Sequence, residues 1–413
     1  MRKRYALGWY VTGAAVARTG DEMSGPALLL AGLAVTGSAS SASALLAGLM
    51  VSAAVGGPVF GVLLDRSPRP GRLLTWALAA YVTALAAILL ALGRLPIAVL
   101  VPVAALAGLL GPALSGGWTA QLPRVVAAGL LPRANAYDAM TFNLASLLGP
   151  ALAGVVAGLA GASEGVLVSL VLICLALPMA WALPPAAGAA PGALLPAART
   201  APSAPPAPPP PVLADLAAGF RAIVRIRPLA RATAASVIAC VAEGVLVVCC
   251  PLLGERRLGE AGYGAMLLSG VAVSALAANA ALARRPGLIR PDTVVWAGAL
   301  VLAAALALAA TGSTALLVVA VVLAGVSEGP RLTALFAIRH RESPERLRGQ
   351  IFTTGASLKL TGFAVGAAVA GPLAVRSLPG ALLAGAGCAL LAALSPALVR
   401  SRTGGLVGRS RPE

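Results

Sequence analysis

Residues 57–76 read GPVFGVLLDRSPRPGRLLTW, and this stretch joins two apolar runs through a short charged connection. The runs cover residues 43–64 and 72–92. Each is close to the length of about 20 residues that an α-helix needs to cross a bilayer. Asp65, Arg66 and Arg69 are confined to the connection. The stretch therefore predicts two antiparallel membrane-spanning helices joined by a tight basic loop.

The composition of the whole chain extends this prediction. Of its 413 residues, 59% are hydrophobic and 11% are charged, and the mean hydropathy is +0.91. Soluble domains carry roughly 25% charged residues, so this balance is that of a membrane protein. The formal net charge is +17, but the basic residues form short clusters between apolar runs. The expected partner is therefore the lipid bilayer and not nucleic acid.

Apolar runs of spanning length recur along the chain, six before residue 190 and six after residue 228. This pattern predicts an all-α membrane protein with twelve transmembrane helices. The predicted spans are 6–35, 43–64, 72–92, 95–121, 137–159, 164–183, 229–253, 262–283, 292–311, 314–338, 350–375 and 378–399.

A proline-rich segment separates the two sets of spans, since eleven of residues 184–211 are proline. Proline cannot continue a helix and favours an extended linker. Part of this linker, residues 215–227, places apolar positions at helical spacing opposite basic ones. It is either a helix on the membrane surface or an ordinary lead-in to the seventh span. The predicted organisation is a six-helix half (1–183), a cytoplasmic linker (184–228), a second six-helix half (229–399) and a basic tail (400–413).

The distribution of basic residues predicts the orientation. If the N-terminus is cytoplasmic, 24 of the 31 lysines and arginines lie on the cytoplasmic side, and only Arg94, Arg256, Arg257 and Arg376 lie outside. Basic residues are retained on the cytoplasmic side of membrane proteins. Both termini are therefore expected in the cytoplasm, with the chain in the cell membrane.

Residues typical of enzymes and metal sites are scarce. The five cysteines lie inside apolar runs without a CxxC spacing, and His340 is the only histidine. Small apolar packing is the expected role of these cysteines, and no metal, cofactor or enzymatic activity is expected. The sequence also lacks the G-x-x-x-x-G-K-[ST] loop of nucleotide-driven proteins.

Three motifs carry a resemblance to a known family. Gly61-Val-Leu-Leu-Asp-Arg-Ser-Pro-Arg69 resembles the loop signature of the major facilitator superfamily. Thr19-Gly-Asp-Glu-Met resembles a motif of that family's enterobactin and macrolide exporters, and Gly149-Pro-Ala-Leu-Ala-Gly154 resembles its antiporter signature. One departure is that residues 99–121 contain none of the arginine that proton-coupled drug antiporters carry in the fourth helix.

The resemblance implies two pseudo-symmetric six-helix halves and a monomeric secondary transporter. It further implies export of a small lipophilic or drug-like compound by alternating access. Because the fourth-helix arginine is missing, either protons are exchanged through other residues or proton coupling is absent. A non-transporting sensor or assembly partner on the same fold, or an importer, remains an alternative.

Charged residues inside predicted spans are the candidates for substrate binding or proton coupling, because burying charge in a bilayer is costly. Glu243 has no base within one helical turn, so we expect it to be the carboxylate left unpaired. The alternative is that some of these residues pair structurally and join helices. The candidates are Arg18, Asp21, Glu22, Glu243, Glu328, Arg331 and Lys359.

A second set of residues is expected to serve gating. Asp138 is predicted to pair with Arg66 or Arg69, or else to be a solvated acid at a helix start. The pairs Gly57/Gly61, Gly154/Gly158 and Gly362/Gly366 are expected at close helix crossings. The gating candidates are Gly61, Asp65, Arg66, Arg69, Asp138, Gly149, Pro150 and Gly154.

Overall fold

The computed structural model describes residues 2–185, 211–260, 262–285 and 287–401. The helices that precede the proline-rich segment form what we call the N half. Their bounds are α1 Arg2–Thr36, α2 Ala39–Arg66, α3 Pro70–Ala91, α4 Ile97–Gly108, a π-helical turn Ala113–Gly117, α5 Leu122–Val125, a 3₁₀ turn Ala128–Leu130, α6 Leu131–Leu159 and α7 Ala162–Trp181.

After the proline-rich segment, a short helix leads into six long ones. The short helix is α8, Val212–Arg225, and the six that follow form the C half. Their bounds are α9 Arg227–Leu258, α10 Tyr263–Arg284, α11 Pro291–Ala310, α12 Thr314–Glu342, a 3₁₀ turn Glu345–Leu347, α13 Arg348–Arg376 and α14 Leu378–Ser401.

Each of the twelve predicted spans coincides with a helical segment. In the described ranges, eleven helices are long and apolar enough to cross a membrane. The remaining span is α1, a helix of 35 residues whose apolar run is interrupted by Arg18, Asp21 and Glu22. The prediction of an all-α fold with twelve membrane helices is confirmed.

The two halves have separate hydrophobic cores. In the N half, α1 packs against α6 and α7, and Tyr81 and Trp118 are buried in its core. In the C half, α9 packs against α13 and α14 around Cys249 and Leu302. Each set of helices therefore has its own interior, which lets the halves move as units.

The fourth span is broken, although the sequence predicts one continuous helix. The α-helix ends at Gly108, and a π-helical turn follows at Ala113–Gly117 after Pro112. Proline lacks the backbone N–H that a regular helix requires, and π turns recur at functional sites. The fourth span is therefore irregular over residues 109–125.

Close helix crossings occur at two of the three predicted glycine pairs. A Cβ at Gly57 or Gly61 would collide with α13, and one at Gly362 or Gly366 would collide with the backbone of α9. The prediction is wrong for Gly154 and Gly158, where nothing lies within 4 Å of an added Cβ. Spacing alone does not show whether a partner helix faces a glycine pair.

The halves meet near one end of the bundle, which we call the linker end because α8 and the α2–α3 connection lie there. The contacts across the halves include those of α2 and the π-helical turn with α13, and those of α6 with α10 and α12. Ser357 Oγ donates to Ala53 O at 2.7 Å. Phe336 stacks between Phe142 and Phe352 at centroid distances of 5.6 and 6.1 Å. The structure is therefore closed at the linker end.

Candidate functional site

The broken fourth span is completed by Arg18 from α1. The guanidinium donates to the carbonyl oxygens of Leu114 and Ser115, at 3.3 and 3.5 Å, and to Thr119 Oγ1 at 2.9 Å. It also lies 3.7 Å from the ring centroid of Phe142. The π-helical turn exposes these carbonyl groups, and an arginine has enough donors to satisfy several of them.

Asp138 of α6 is the ion-pair partner of Arg18. The Nη1–Oδ1 distance is 2.9 Å, and the two side chains are 3% and 0% exposed. Tyr10 and Thr119 donate further hydrogen bonds to the carboxylate, at 2.9 and 2.8 Å. The predicted pairing of Asp138 with Arg66 or Arg69 is therefore wrong. Local spacing could not place this carboxylate, because its partner comes from a helix 120 residues earlier in the chain.

Glu243 of α9 forms an ion pair with Arg331 of α12. The expectation that Glu243 is the unpaired carboxylate is therefore wrong. That expectation considered bases within one helical turn, whereas Arg331 lies on another helix of the same half. One nitrogen of the guanidinium, Nη1, is buried without a hydrogen-bond partner.

Three acids and one base remain in the middle of the spans once these pairs are formed. Asp21 accepts a hydrogen bond from Tyr81 at 3.0 Å. Glu22 of α1 is exposed although it lies in mid-helix. Glu328 of α12 lies within electrostatic range of both Glu22 and Lys359 of α13. Glu22 and Glu328 therefore interact from opposite halves, and Asp21, held by Tyr81 within the N half, adds negative charge near Glu22.

Asp65 ties the end of α2 to the start of α13. Its carboxylate accepts hydrogen bonds from the backbone N–H groups of Gly349 and Gln350, at 2.6 and 2.8 Å. The first N–H groups of a helix lack partners within the helix, and the helix dipole favours an anion there. This contact joins the N half to the C half at the linker end.

Arg66 makes a second contact at the linker end, with Asp215 of α8. The Nη2–Oδ2 distance is 2.7 Å. Arg69 is the N-cap residue of α3 and takes part in no ion pair among the described residues. A cleft of about 210 Å³ lies beside these groups and is lined by Val62, Asp65, Arg66, Asp215, Arg346, Leu347 and Gln350.

The predicted gating residues of α6 occupy different environments. Gly149 lies against the backbone of α1 at Glu22 and Met23, so a side chain there would collide. Pro150 is exposed, and α6 continues through it to Leu159. Gly154 is exposed with open space around it. Of the three, only Gly149 is held at a helix contact.

A buried polar chain between the halves was not predicted. Asn279 of α10 donates to Asn143 Oδ1 of α6 at 3.1 Å and accepts from Thr333 of α12 at 2.8 Å. The sequence feature that could have predicted it is the presence of the amide side chains Asn143 and Asn279 inside apolar spans. Among the described residues, no group of three or more His, Cys, Asp or Glu side chains could hold a metal ion.

Solved structures show the same fold. The chain resembles a bacterial homologue of the iron transporter ferroportin in an outward-facing state, with a TM-score of 0.71, 18% identity, and coverage of 96% of this chain and 100% of that one. It resembles the human organic anion transporter TETRAN with a TM-score of 0.70, 16% identity, and coverage of 96% and 100%. The transporter FucP in its outward conformation matches with a TM-score of 0.71, 13% identity, and coverage of 97% and 99%. No curated protein matches the chain by sequence.

Twelve membrane helices, two separate cores and charged groups between them define a multi-pass membrane transport protein, not an enzyme. Residues 10–370 match the sequence profile of the Major Facilitator Superfamily. The chain belongs to this superfamily.

Proposed function

We propose that the protein exports a small lipophilic or drug-like compound across the cell membrane by alternating access, in exchange for protons. The observation that carries this proposal is the pair of carboxylates Glu22 and Glu328, which interact electrostatically from opposite halves, with Lys359 as a base near Glu328. Uncompensated charge is costly inside a membrane. A proton or a cationic substrate would neutralise it.

The orientation proposed from the basic residues places the linker end in the cytoplasm. In that orientation the structure is closed toward the cytoplasm. Single cysteines at Ser41 and Ser203 test the orientation in a background without the native cysteines. An impermeant thiol reagent added outside should label position 41 and spare position 203. The reverse pattern would overturn the orientation.

Asp65 is proposed to hold the cytoplasmic side closed. Its two hydrogen bonds to Gly349 and Gln350 must break before the halves can separate there. Asp65→Asn should abolish transport without affecting membrane insertion. Asp292→Asn is the matched control, because Asp292 is an exposed carboxylate paired with Arg341. Normal transport by inserted Asp65→Asn would remove this role.

Proton coupling is tested in inverted membrane vesicles with ethidium, a lipophilic cation, and a panel of neutral drugs. Export appears in such vesicles as uptake driven by an imposed inside-acid gradient. Glu22→Gln and Glu328→Gln should uncouple uptake from the gradient, because a glutamine cannot carry a proton. Glu164→Gln is the control, since Glu164 is exposed in the first turn of α7.

The same vesicles separate the alternatives. Gradient dependence that persists in Glu22→Gln, Glu328→Gln and their double variant would contradict the proposed coupling. Uptake in right-side-out vesicles, with none in inverted ones, would indicate an importer. Absence of transport for every compound, by a correctly inserted wild type, would favour a sensor on a transporter fold.

A further inference from the structure

The helix α8 has three distinct faces, and the first packs on the bundle. Gly219 and Ile223 are buried, and the carbonyl oxygen of Leu216 accepts a hydrogen bond from Gln350 Nε2 at 3.0 Å. The helix contacts α2 of the N half as well as α9 and α13 of the C half. Its position at the linker end is therefore set by both halves.

The second face of α8 is apolar and exposed. Leu213 is 77% exposed, Phe220 is 43% exposed and Val224 is 71% exposed. Their spacings of seven and four residues, with Ala217 between them, form one stripe along the helix. This stripe lies about 100° around the helix axis from the packed face. Contiguous exposed apolar surface of this kind marks an interaction site.

The third face is basic. Arg221 and Arg225 are exposed beside the apolar stripe, and Arg227 follows at the start of α9. None of the ion pairs in the described part of the chain involves these three arginines. An apolar stripe flanked by unpaired arginines is the pattern of a helix that lies in the interface of a membrane with anionic lipids.

The depth of α8 agrees with this pattern. It ends at Arg225, and the membrane-spanning helix α9 begins at Arg227. Because a single residue separates the two helices, α8 lies beside the linker end of this membrane-spanning helix. We propose that α8 binds the anionic phospholipid surface of the leaflet at the linker end, with Leu213, Phe220 and Val224 among the acyl chains and Arg221 and Arg225 at the phosphates.

Lipid binding at α8 affects the contacts that close the linker end, because α8 takes part in them. Asp215 of α8 binds Arg66, and Leu216 binds the side chain of Gln350, whose backbone N–H donates to Asp65. An anionic leaflet therefore favours the state closed at this end. This consequence rests on the proposed role of Asp65, whereas the binding of α8 to lipid does not.

The binding is tested on the full chain in nanodiscs of phosphatidylcholine with or without phosphatidylglycerol. A single cysteine replacing Val224 is labelled with a polar maleimide. Because each arginine near an anionic surface contributes about fivefold in binding, labelling should be at least about fivefold slower with phosphatidylglycerol. Arg221→Gln with Arg225→Gln should abolish that difference. Arg285→Gln with Arg290→Gln, the same charge change in the exposed α10–α11 connection, should preserve it.

Two outcomes would overturn the proposal. Equal labelling rates in the two lipid compositions would exclude recognition of anionic lipid. Unchanged protection of the cysteine at position 224 in Arg221→Gln with Arg225→Gln, in nanodiscs with phosphatidylglycerol, would show that these arginines do not bind the anionic lipid. Neither measurement depends on transport, so a failure of this proposal can be distinguished from a failure of the proposed function.

The link to closure is tested with a cysteine replacing Ala139, which is fully buried beside Phe336 and Phe352. Its labelling reports separation of the halves at the linker end. Labelling should be severalfold faster without phosphatidylglycerol, and Asp215→Asn should abolish that dependence while the cysteine at 224 stays protected. Unchanged lipid dependence in Asp215→Asn would overturn the coupling and leave lipid binding intact.

Discussion

Each half of the molecule buries one arginine against one carboxylate, but the two pairs differ in environment. In the N half, Arg18 and Asp138 are 3% and 0% exposed, and every nitrogen of the guanidinium donates a hydrogen bond. In the C half, Arg331 and Glu243 are 7% and 17% exposed, and Arg331 Nη1 has no partner. The first pair is a satisfied network, and the second is partly open.

The difference shows that the two halves share a fold without sharing their polar chemistry. The arginine lies on the first span in the N half but on the tenth span, α12, in the C half. The N-half pair also satisfies the broken backbone of the fourth span, whereas the C-half pair joins two regular helices. We therefore expect the N-half pair to maintain structure and the C-half pair to tolerate rearrangement.

The largest expected effect is that of Arg18→Met. Removing one partner of a buried pair leaves an uncompensated charge and costs about 3–5 kcal/mol. The measurement is the apparent melting temperature of the purified protein in detergent. Arg133→Met is the control, because Arg133 is exposed and its hydrogen bond goes to the neighbouring Tyr137 of the same helix.

A second variant keeps this prediction informative if Arg18→Met does not accumulate. Arg18→Met combined with Asp138→Leu removes both charges and should accumulate better than the single variant. A melting temperature for Arg18→Met equal to that of Arg133→Met would show that the N-half pair is dispensable.

A smaller effect is expected for Glu243→Gln. Glutamine can still accept a hydrogen bond from Arg331, so the loss of stability should be about 1–3 kcal/mol. This loss should be smaller than that caused by Asp138→Asn in the N half. The apparent melting temperatures of the two amide variants provide the comparison. Equal losses would mean that the two pairs are equivalent despite their different burial.

The glycine pairs of α6 and α13 sharpen the comparison further. In Gly366→Val, the added Cβ would collide with Val241 on α9. Overpacking of this kind costs about 1–3 kcal/mol of stability. Gly158→Val, in the corresponding helix of the N half, should change the melting temperature little, because open space surrounds it. A large decrease in the melting temperature of Gly158→Val would indicate that another molecule or segment packs against Gly158.

The smallest effect on stability is expected for Glu22→Gln. Glu22 belongs to neither pair and is exposed between the halves. Substitutions away from packing and ion pairs usually stay within about 0.5 kcal/mol. Its melting temperature should therefore equal that of wild type while gradient-driven uptake is lost. Destabilisation would assign Glu22 a structural role.

The helices were predictable because each crossing of a bilayer requires about 20 apolar residues. Each such run is continuous in the sequence and can be recognised without knowing the fold. The partners of the charged residues were not predictable. Arg18 shares a helical face with Asp21 and Glu22, and helical spacing favours such pairs, yet it binds Asp138. A buried guanidinium binds where most of its donors are satisfied, and those acceptors came from α6 and the broken fourth span.

By itself, the sequence determined the number of spans, the family motif at Asp65 and Arg66, and the absence of a loop for nucleotide-driven transport. The division around the proline-rich linker stays a prediction, because residues 186–210 lie outside the described part of the chain. Tertiary structure alone decided that Asp138 and Glu243 are paired and that Glu22 and Glu328 face each other. It alone decided that Asp65 caps α13. The reason is physical: spanning length depends on the solvent around each segment, whereas the partner of a buried charge depends on which helices pack together.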